Sequence, residues 1–181
     1  MAHLPIWYIQ QIPQEICDAT EQDFVKLPVR EATMGPDSAV RNTTHRDTKV
    51  AFAPKGHAFE KYMSAHATQG NTECKWAYIM HNSEAIQYAE YGPSQHYNWH
   101  VDVFPLSGMG TDRKLTVICL LNDPSEFTGG ELQIRLYQEY TVPLVKGTMV
   151  VFPSILEHRV TPVVTGVRKT ATMWFNGPRF A

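Results

Sequence analysis

Residues 98–104 read Asn-Trp-His-Val-Asp-Val-Phe, and this stretch decides the predicted fold. Alternate residues of a strand point to the same side, so His100 and Asp102 reach one point from a single strand. Two histidines and one carboxylate are the ligand set of non-haem Fe(II) sites that activate oxygen. A third ligand must then come from elsewhere in the chain. His158, which follows the tight stretch 153–157, is the best candidate.

Taken alone, His-x-Asp is a weak signal in a chain with eight histidines. Each histidine by itself is better interpreted as an ordinary packed or surface residue. Arg168, ten positions after His158, strengthens the metal interpretation because a guanidinium suits the distal carboxylate of a dicarboxylate co-substrate. The alternative is that Arg168 pairs with a protein acid or faces solvent.

The strand predicted at 168–176 supports a ligand cavity. A face of polar side chains is a poor hydrophobic core but a good lining for the inside of a barrel. This face carries Arg168, Thr170, Thr172, Trp174 and Asn176. The other face carries Lys169, Ala171, Met173 and Phe175.

Short strands separated by glycine turns predict a mainly β fold with flanking α-helices. We expect one domain over 1–181, with a helical and mixed support region at 1–74 and a double-stranded β-helix, or jelly roll, at 75–181. The amino-terminal helices should pack on one sheet. Helices are predicted at 13–24 and 58–67, the second ending at Gly70-Asn71. Strands are predicted at 75–80, 85–91, 115–121, 131–136, 148–152, 158–164 and 168–176. The glycine-rich segment Ser107–Arg113 is predicted to be a rim loop.

Composition excludes few classes. Hydrophobic residues make up 43% of the chain, charged residues 19%, and the net charge is −2, which is ordinary for a globular protein. We expect no nucleic-acid partner and no membrane partner. The three widely spaced cysteines and the absence of a signal-like start favour reduced thiols in a cytoplasmic protein. Oligomeric state and source, bacterial or viral, are not predicted.

Several motifs carry a resemblance to a known family. They are Tyr-Gly-Pro-Ser-Gln-His-Tyr-Asn-Trp-His-Val-Asp at 91–102, Phe-Thr-Gly-Gly-Glu-Leu at 127–132, Lys-Gly-Thr-Met-Val-Val-Phe-Pro-Ser at 146–154, His-Arg-Val-Thr-Pro-Val at 158–163 and Gly-Val-Arg at 166–168. With these motifs, the segment from Tyr91 to Phe175 resembles the 2-oxoglutarate/Fe(II)-dependent dioxygenase superfamily, and within it the prolyl-4-hydroxylase-like branch that includes PKHD-type hydroxylases.

The resemblance implies a set of site residues. Fe(II) would bind His100, Asp102 and His158, and 2-oxoglutarate would chelate the iron with its distal carboxylate on Arg168. O2 is the second co-substrate and ascorbate an accessory reductant. Four further residues are expected near the cofactors: Thr116, as a hydroxyl donor to the distal carboxylate, and Tyr97, Trp174 and Tyr91. Strict strand alternation would point Tyr97 away from His100, and Tyr91 could equally be an ordinary packed aromatic residue.

The resemblance also implies a function. The first hypothesis is hydroxylation of a peptidyl side chain, prolyl by default, with release of succinate and CO2. A free amino acid or another small metabolite is the alternative substrate. A non-catalytic jelly-roll iron-binding or sensor protein is a different class, but it would have no use for Arg168 as a co-substrate ligand. A zinc hydrolase is disfavoured because the chain has no His-Glu-x-x-His motif.

Overall fold

Two facing β-sheets form the framework of the protein, which the computed structural model describes for residues 5–33, 40–103 and 110–180. A short 3-10 turn, Pro124–Glu126, precedes β9. The helices are α1 (Gln14–Phe24) and α2 (Glu60–Glu73), and the strands are β1 (Tyr8–Gln11), β2 (Arg30–Glu31), β3 (Arg46–Asp47), β4 (Lys49–Phe52), β5 (Asn82–Ser83), β6 (Gln87–Tyr91), β7 (His96–His100), β8 (Thr111–Leu120), β9 (Phe127–Gly129), β10 (Leu132–Arg135), β11 (Glu139–Thr141), β12 (Thr148–Pro153), β13 (Glu157–Val160), β14 (Val163–Gly166) and β15 (Arg168–Pro178).

The sheets are antiparallel and differ in size. Among the described residues, the larger sheet has the order β1-β12-β8-β15-β6-β4-β2, with β5 added beside β15. The smaller sheet has the order β11-β10-β13-β7-β3, and β14 pairs with β9 separately. Strands β1 to β4, from the first 74 residues, therefore extend both main sheets. The predicted mainly β jelly-roll architecture is confirmed.

Alternation along the strands places the core on both faces of the larger sheet. Ile118, Val150 and Phe152 pack against Leu132 and Ile134 of the smaller sheet. The intervening residues of the larger sheet contact both helices, in a cluster that contains Leu115, Val117, Met149, Val151, Cys17, Phe24, Met63 and Ala67. The prediction that helices pack on the outer face of one sheet thus describes the structure.

Helix α2 is longer than predicted. It continues through Gly70, where a glycine normally favours the end of a helix, and stops at Glu73. A Cβ atom at Gly70 would collide with the side chain of Val151 on β12. The glycine therefore allows close approach of helix and sheet instead of ending the helix.

Other predicted boundaries were also wrong. The strand predicted at 75–80 is irregular, because Lys75 and Ala77 have positive φ angles of 56° and 57°. The strand predicted at 131–136 is shorter: β10 covers Leu132–Arg135, and Leu136 is 45% exposed.

Two further segments differ from the sequence pattern. The single strand predicted at 158–164 is divided into β13 and β14. Three of the seven residues of the predicted rim loop, 107–109, lie outside the described residues, whereas 111–113 begin β8. No helix among the described residues has the length and apolar character needed to cross a membrane.

The packing of α2 against the larger sheet can be tested through the pH dependence of stability, because α2 carries the buried His66. It is 3% exposed on α2, its ring lies 5.1 Å from that of Tyr8, and burial lowers the pKa of His66 from 6.5 to about 4. The unfolded chain therefore binds a proton that the folded protein does not, between pH 6.5 and 4. We expect this residue to reduce the free energy of unfolding by about 3 kcal/mol as pH falls through that range.

The measurement is urea unfolding at pH 7.5 and pH 4.5. His66→Phe keeps an aromatic ring and should show a smaller loss of stability at pH 4.5 than the wild type. His81→Phe, at an exposed position, should behave like the wild type. An identical loss in His66→Phe and the wild type would contradict the assignment.

Candidate metal and co-substrate site

Pairing of β7 with β13 brings the first two candidate ligands together. His100 and His158 are direct cross-strand partners, with ring centres 4.2 Å apart. Asp102 follows the end of β7, and its backbone N–H donates to the carbonyl of Ser154 at 3.0 Å. The ligand atoms of all three side chains lie within 4.8 Å of one another. The fold therefore assembles a His-Asp-His cluster from two separated stretches of sequence.

Backbone carbonyls orient both histidines. Nδ1 of His100 lies 2.7 Å from the carbonyl of Asn98, and Nδ1 of His158 lies 3.0 Å from that of Leu156. Each Nδ1 thus donates to the backbone and leaves Nε2 to coordinate a metal. The Nε2 atoms lie 3.7 Å and 3.4 Å from the two carboxylate oxygens of Asp102.

Two donors hold the carboxylate of Asp102. The Thr116 hydroxyl and the Trp174 indole N–H each donate to Oδ2 at 2.8 Å. These donors are register partners on β8 and β15 of the larger sheet. Ser154, fully buried, places its hydroxyl 2.9 Å from that of Thr116. The larger sheet therefore fixes the position of a ligand that the smaller sheet's strand provides.

Trp174 is itself fixed by a charged pair. The guanidinium of Arg113 lies 3.9 Å from the centre of the Trp174 ring. Arg113 donates two hydrogen bonds of 2.6 Å to the carboxylate of Glu84. A bidentate pair of this kind has a defined geometry, so it limits the orientation of the indole.

An extra residue in β7 brings Tyr97 to the ligands. The register pairs His158 with His100 and Val160 with Tyr97, so two residues of β7, Asn98 and Trp99, oppose one residue of β13. Such a bulge reverses the alternation. Tyr97 consequently faces inward and stacks on His100, with ring centres 3.4 Å apart and an interplanar angle of 9°.

Trp99, the other residue of the bulge, lies on the outer surface. Two guanidinium groups of β10 and β13 contact its ring, that of Arg135 at 4.0 Å and that of Arg159 at 4.6 Å. These cation–π contacts favour the outward orientation of Trp99.

The electrostatics of the cluster suit a divalent cation. Burial and the neighbouring His158 lower the pKa of His100 to about 3, so its ring is neutral. Burial opposes ionisation of Asp102, but His158 and His100 keep the pKa of that carboxyl well below its usual range. Burial also opposes charge on His158, yet Asp102 raises the pKa of His158. Two imidazoles and a carboxylate, with O and N donors on one side, fit Fe(II).

A second group of predicted residues lies around Arg168. Arg168 and Tyr91 are register partners on β15 and β6, and the guanidinium lies 5.6 Å from the Tyr91 ring centre. Arg168 is 1% exposed, and its Nη2 has no hydrogen-bond partner among the described residues. Burial lowers the pKa of Arg168 to about 10, which leaves it charged at neutral pH.

Gly130 makes room for that arginine. It has a positive φ of 64°, and a Cβ atom there would lie 2.9 Å from Cδ of Arg168 and from Cγ2 of Val163. The Gly-Gly pair at 129–130 therefore forms a turn and also leaves space for the buried side chain of Arg168.

The structure thus separates the predicted residues into two sets. His100, Asp102, His158, Thr116, Trp174 and Tyr97 surround the ligand cluster, and Arg168 lies with Tyr91. Thr116 was expected beside the co-substrate carboxylate, but its described hydrogen bonds go to Asp102 and Ser154. Sequence reasoning missed Ser154, Arg113 and Glu84, since isolated polar residues carry no spacing signal.

Comparison with known proteins places the chain in a family. Residues 86–176 match the model of the 2OG-Fe(II) oxygenase superfamily. A PKHD-type hydroxylase of Klebsiella pneumoniae is 33% identical over 96% of this chain. The chain belongs to the 2OG-Fe(II) oxygenase superfamily. The resemblance to its PKHD-type branch is confirmed, and members of this superfamily depend on Fe(II) and 2-oxoglutarate.

Two further comparisons concern the sequence and the fold. A PKHD-type hydroxylase of Picosynechococcus is 33% identical over 67% of this chain. The alignments span 54% of that relative's length and 77% of the Klebsiella protein's. A solved structure of a collagen prolyl hydroxylase from Paramecium bursaria Chlorella virus-1 superposes on this chain with a TM-score of 0.73 and 19% sequence identity. The superposition covers 96% of this chain and 97% of the viral chain. That likeness supports the fold.

Thr116→Val tests the hydroxyl that orients Asp102. Valine has nearly the same shape but cannot donate, so the carboxylate loses one of its two described donors. We expect the affinity for Fe(II), or for Mn(II) as a substitute, to fall about 10- to 100-fold. Metal titration monitored by calorimetry measures this effect. Thr116→Ser keeps the hydroxyl and should retain most of the affinity; equal losses in both variants would exclude the hydroxyl as the cause.

Proposed function

We propose that this oxygenase is a 2-oxoglutarate-dependent hydroxylase that acts on a peptidyl side chain, prolyl by default, and releases succinate and CO2. The observation that carries the proposal is the combination of a His-Asp-His cluster with the buried Arg168, whose Nη2 has no hydrogen-bond partner among the described residues. The hydroxylase names of its relatives support the reaction class.

The chain's own residues have separate tasks in this reaction. His100, Asp102 and His158 would hold Fe(II), while Thr116 and Trp174 keep the Asp102 carboxylate in one orientation. Fe(II) and 2-oxoglutarate, when bound, supply the oxidative chemistry by which O2 hydroxylates the substrate. Tyr97 covers one side of His100, and its phenol stays protonated because burial raises the pKa of Tyr97 to about 12.

Arg168 has the properties of a co-substrate ligand. A buried guanidinium without an acid is costly, and a carboxylate bound in the cavity would remove that cost. Tyr91 lies beside the guanidinium, with its ring centre 5.6 Å away. A protein that only bound or sensed iron would gain nothing from this residue, which disfavours the non-catalytic alternative.

The organisation and the peptide substrate belong to the same proposal. Strands β1 to β4 complete the two sheets that carry the site, which supports 1–181 acting as a single domain. The peptidyl substrate is supported by the fold shared with a collagen prolyl hydroxylase. A cytoplasmic location and stimulation by ascorbate are part of the proposal as well.

Arg168→Gln tests the co-substrate assignment. Loss of a charged, bidentate contact should weaken 2-oxoglutarate binding about 10- to 100-fold, without a comparable change in metal affinity. Calorimetric titration of the Mn(II)-loaded protein measures both constants, and 2-oxoglutarate-dependent succinate formation should fall in parallel.

Arg159→Gln is the matched control. Arg159 lies on β13, donates to Gln133 at 2.8 Å and contacts Trp99. The substitution therefore removes the same charge from the outer surface of the smaller sheet. Its affinity for 2-oxoglutarate should match the wild type. An Arg168→Gln protein that binds 2-oxoglutarate as the wild type does would refute the role of Arg168.

A further inference from the structure

A second guanidinium faces the interior near the metal ligands. Arg46 on β3 is the register partner of Tyr97 on β7, and cross-strand partners share a face. The guanidinium carbon of Arg46 lies 4.6 Å from the centre of the Tyr97 ring, and that ring stacks on His100 at 3.4 Å. One aromatic ring therefore separates Arg46 from a candidate metal ligand.

Arg46 is poorly satisfied by the protein. Its Nη2 reaches Oε1 of Gln87 only at 3.4 Å, near the limit for a hydrogen bond. Its Nε is buried without a partner among the described residues, and no described carboxylate forms an ion pair with it. By contrast, the exposed Arg41 of the same segment pairs with Glu31 at 3.0 Å.

The nitrogens involved define the shape of the missing partner. Nε and Nη2 lie on one edge of the guanidinium and bind the two oxygens of a carboxylate side by side. Cation–π contact with Tyr97 accounts for the position of Arg46 but leaves this edge without a good acceptor. The geometry therefore favours a planar anion over a neutral carbonyl group.

The number of carboxylates in 2-oxoglutarate indicates which molecule supplies that anion. 2-Oxoglutarate has two carboxylates, and the proposed function assigns one to the metal and the other to Arg168. Arg46 is left over, beside the metal ligands rather than beside Arg168. Arg46 is half-buried, and a second anionic molecule in the site would give its buried Nε the acceptor that the described residues do not supply.

We infer that Arg46 binds the α-carboxylate of the substrate, so that the hydroxylated residue is a free amino acid or the C-terminal residue of a peptide. This inference rests on the proposed 2-oxoglutarate-dependent hydroxylation. Among peptidyl substrates it keeps only the C-terminal residue, and it admits the free amino acid, which is the alternative substrate. A carboxylate on Arg46 places the side chain of the same residue close to His100, because only the Tyr97 ring lies between them. A residue within a polypeptide has no free α-carboxylate, because that group forms the next peptide bond, and its backbone would leave Arg46 unpaired.

The test compares acids with their amides. The Mn(II)- and 2-oxoglutarate-loaded protein is titrated with the twenty common L-amino acids and their glycyl dipeptides, each as the free acid and as the C-terminal amide. We expect at least one acid to bind about 10- to 100-fold more tightly than its amide. Comparison of amino acids with dipeptides identifies which source of the carboxylate the site accepts.

Three variants assign the preference to Arg46. Arg46→Gln should lose the acid-over-amide preference and keep the affinities for Mn(II) and 2-oxoglutarate, which also shows that it is folded. Arg46→Lys keeps the charge without the two-nitrogen edge and should recover part of the preference. Arg41→Gln removes an exposed charge from the same segment and should behave like the wild type.

Several outcomes would overturn the inference. These are an undiminished acid preference in Arg46→Gln, equal binding of acids and amides to the wild type, and no binding by any acid of the panel. A weaker affinity for 2-oxoglutarate in Arg46→Gln would assign Arg46 to the co-substrate instead. Failure of the proposed function appears separately, as absent 2-oxoglutarate-dependent succinate formation, whereas carboxylate binding is measured without turnover.

Discussion

The position of the Asp102 carboxylate is the constraint on which the candidate site depends. The two histidines are brought together by strand pairing in the smaller sheet, but Asp102 lies beyond the end of its strand. Its hydrogen bonds to Thr116 and Trp174 connect it to the larger sheet. The metal cluster therefore forms only when the two sheets face each other in the observed register. The packing of the two sheets therefore determines the geometry of the metal ligands.

Charge is distributed unevenly along the interior of the barrel. The ligand cluster contributes the carboxylate of Asp102, whereas the buried Arg168 and the half-buried Arg46 form no ion pair with a carboxylate of the described residues. Proteins rarely bury a cation such as Arg168 unless an acid or another molecule neutralises it. An interior with such a surplus of positive charge is better suited to anionic small molecules than to the water and apolar side chains that fill an ordinary core.

Sequence patterns predicted the ligand set, the mainly β fold and the polar face of β15, because each depends on spacing along one strand. They could not predict features that arise between strands. The bulge that turns Tyr97 inward is set by pairing with β13, and the contact of Gly70 with Val151 is set by helix packing. Arg46 lies in a two-residue strand, and two residues are too few to show the side-chain alternation by which a strand is predicted. Thr116 was expected beside the co-substrate carboxylate, whereas its described hydrogen bond to Asp102 depends on the register of β8 with β15.

The bulge in β7 links the solvent side of the smaller sheet to its interior. Trp99 faces outward between Arg135 and Arg159, and its neighbours in sequence, Tyr97 and His100, face inward. The three orientations belong to one local backbone conformation. One backbone conformation therefore places two cation–π contacts on the surface and the stacked rings of Tyr97 and His100 beside the metal cluster. A change in the register of β7 with β13 would disturb the outer surface of the smaller sheet and the metal cluster together.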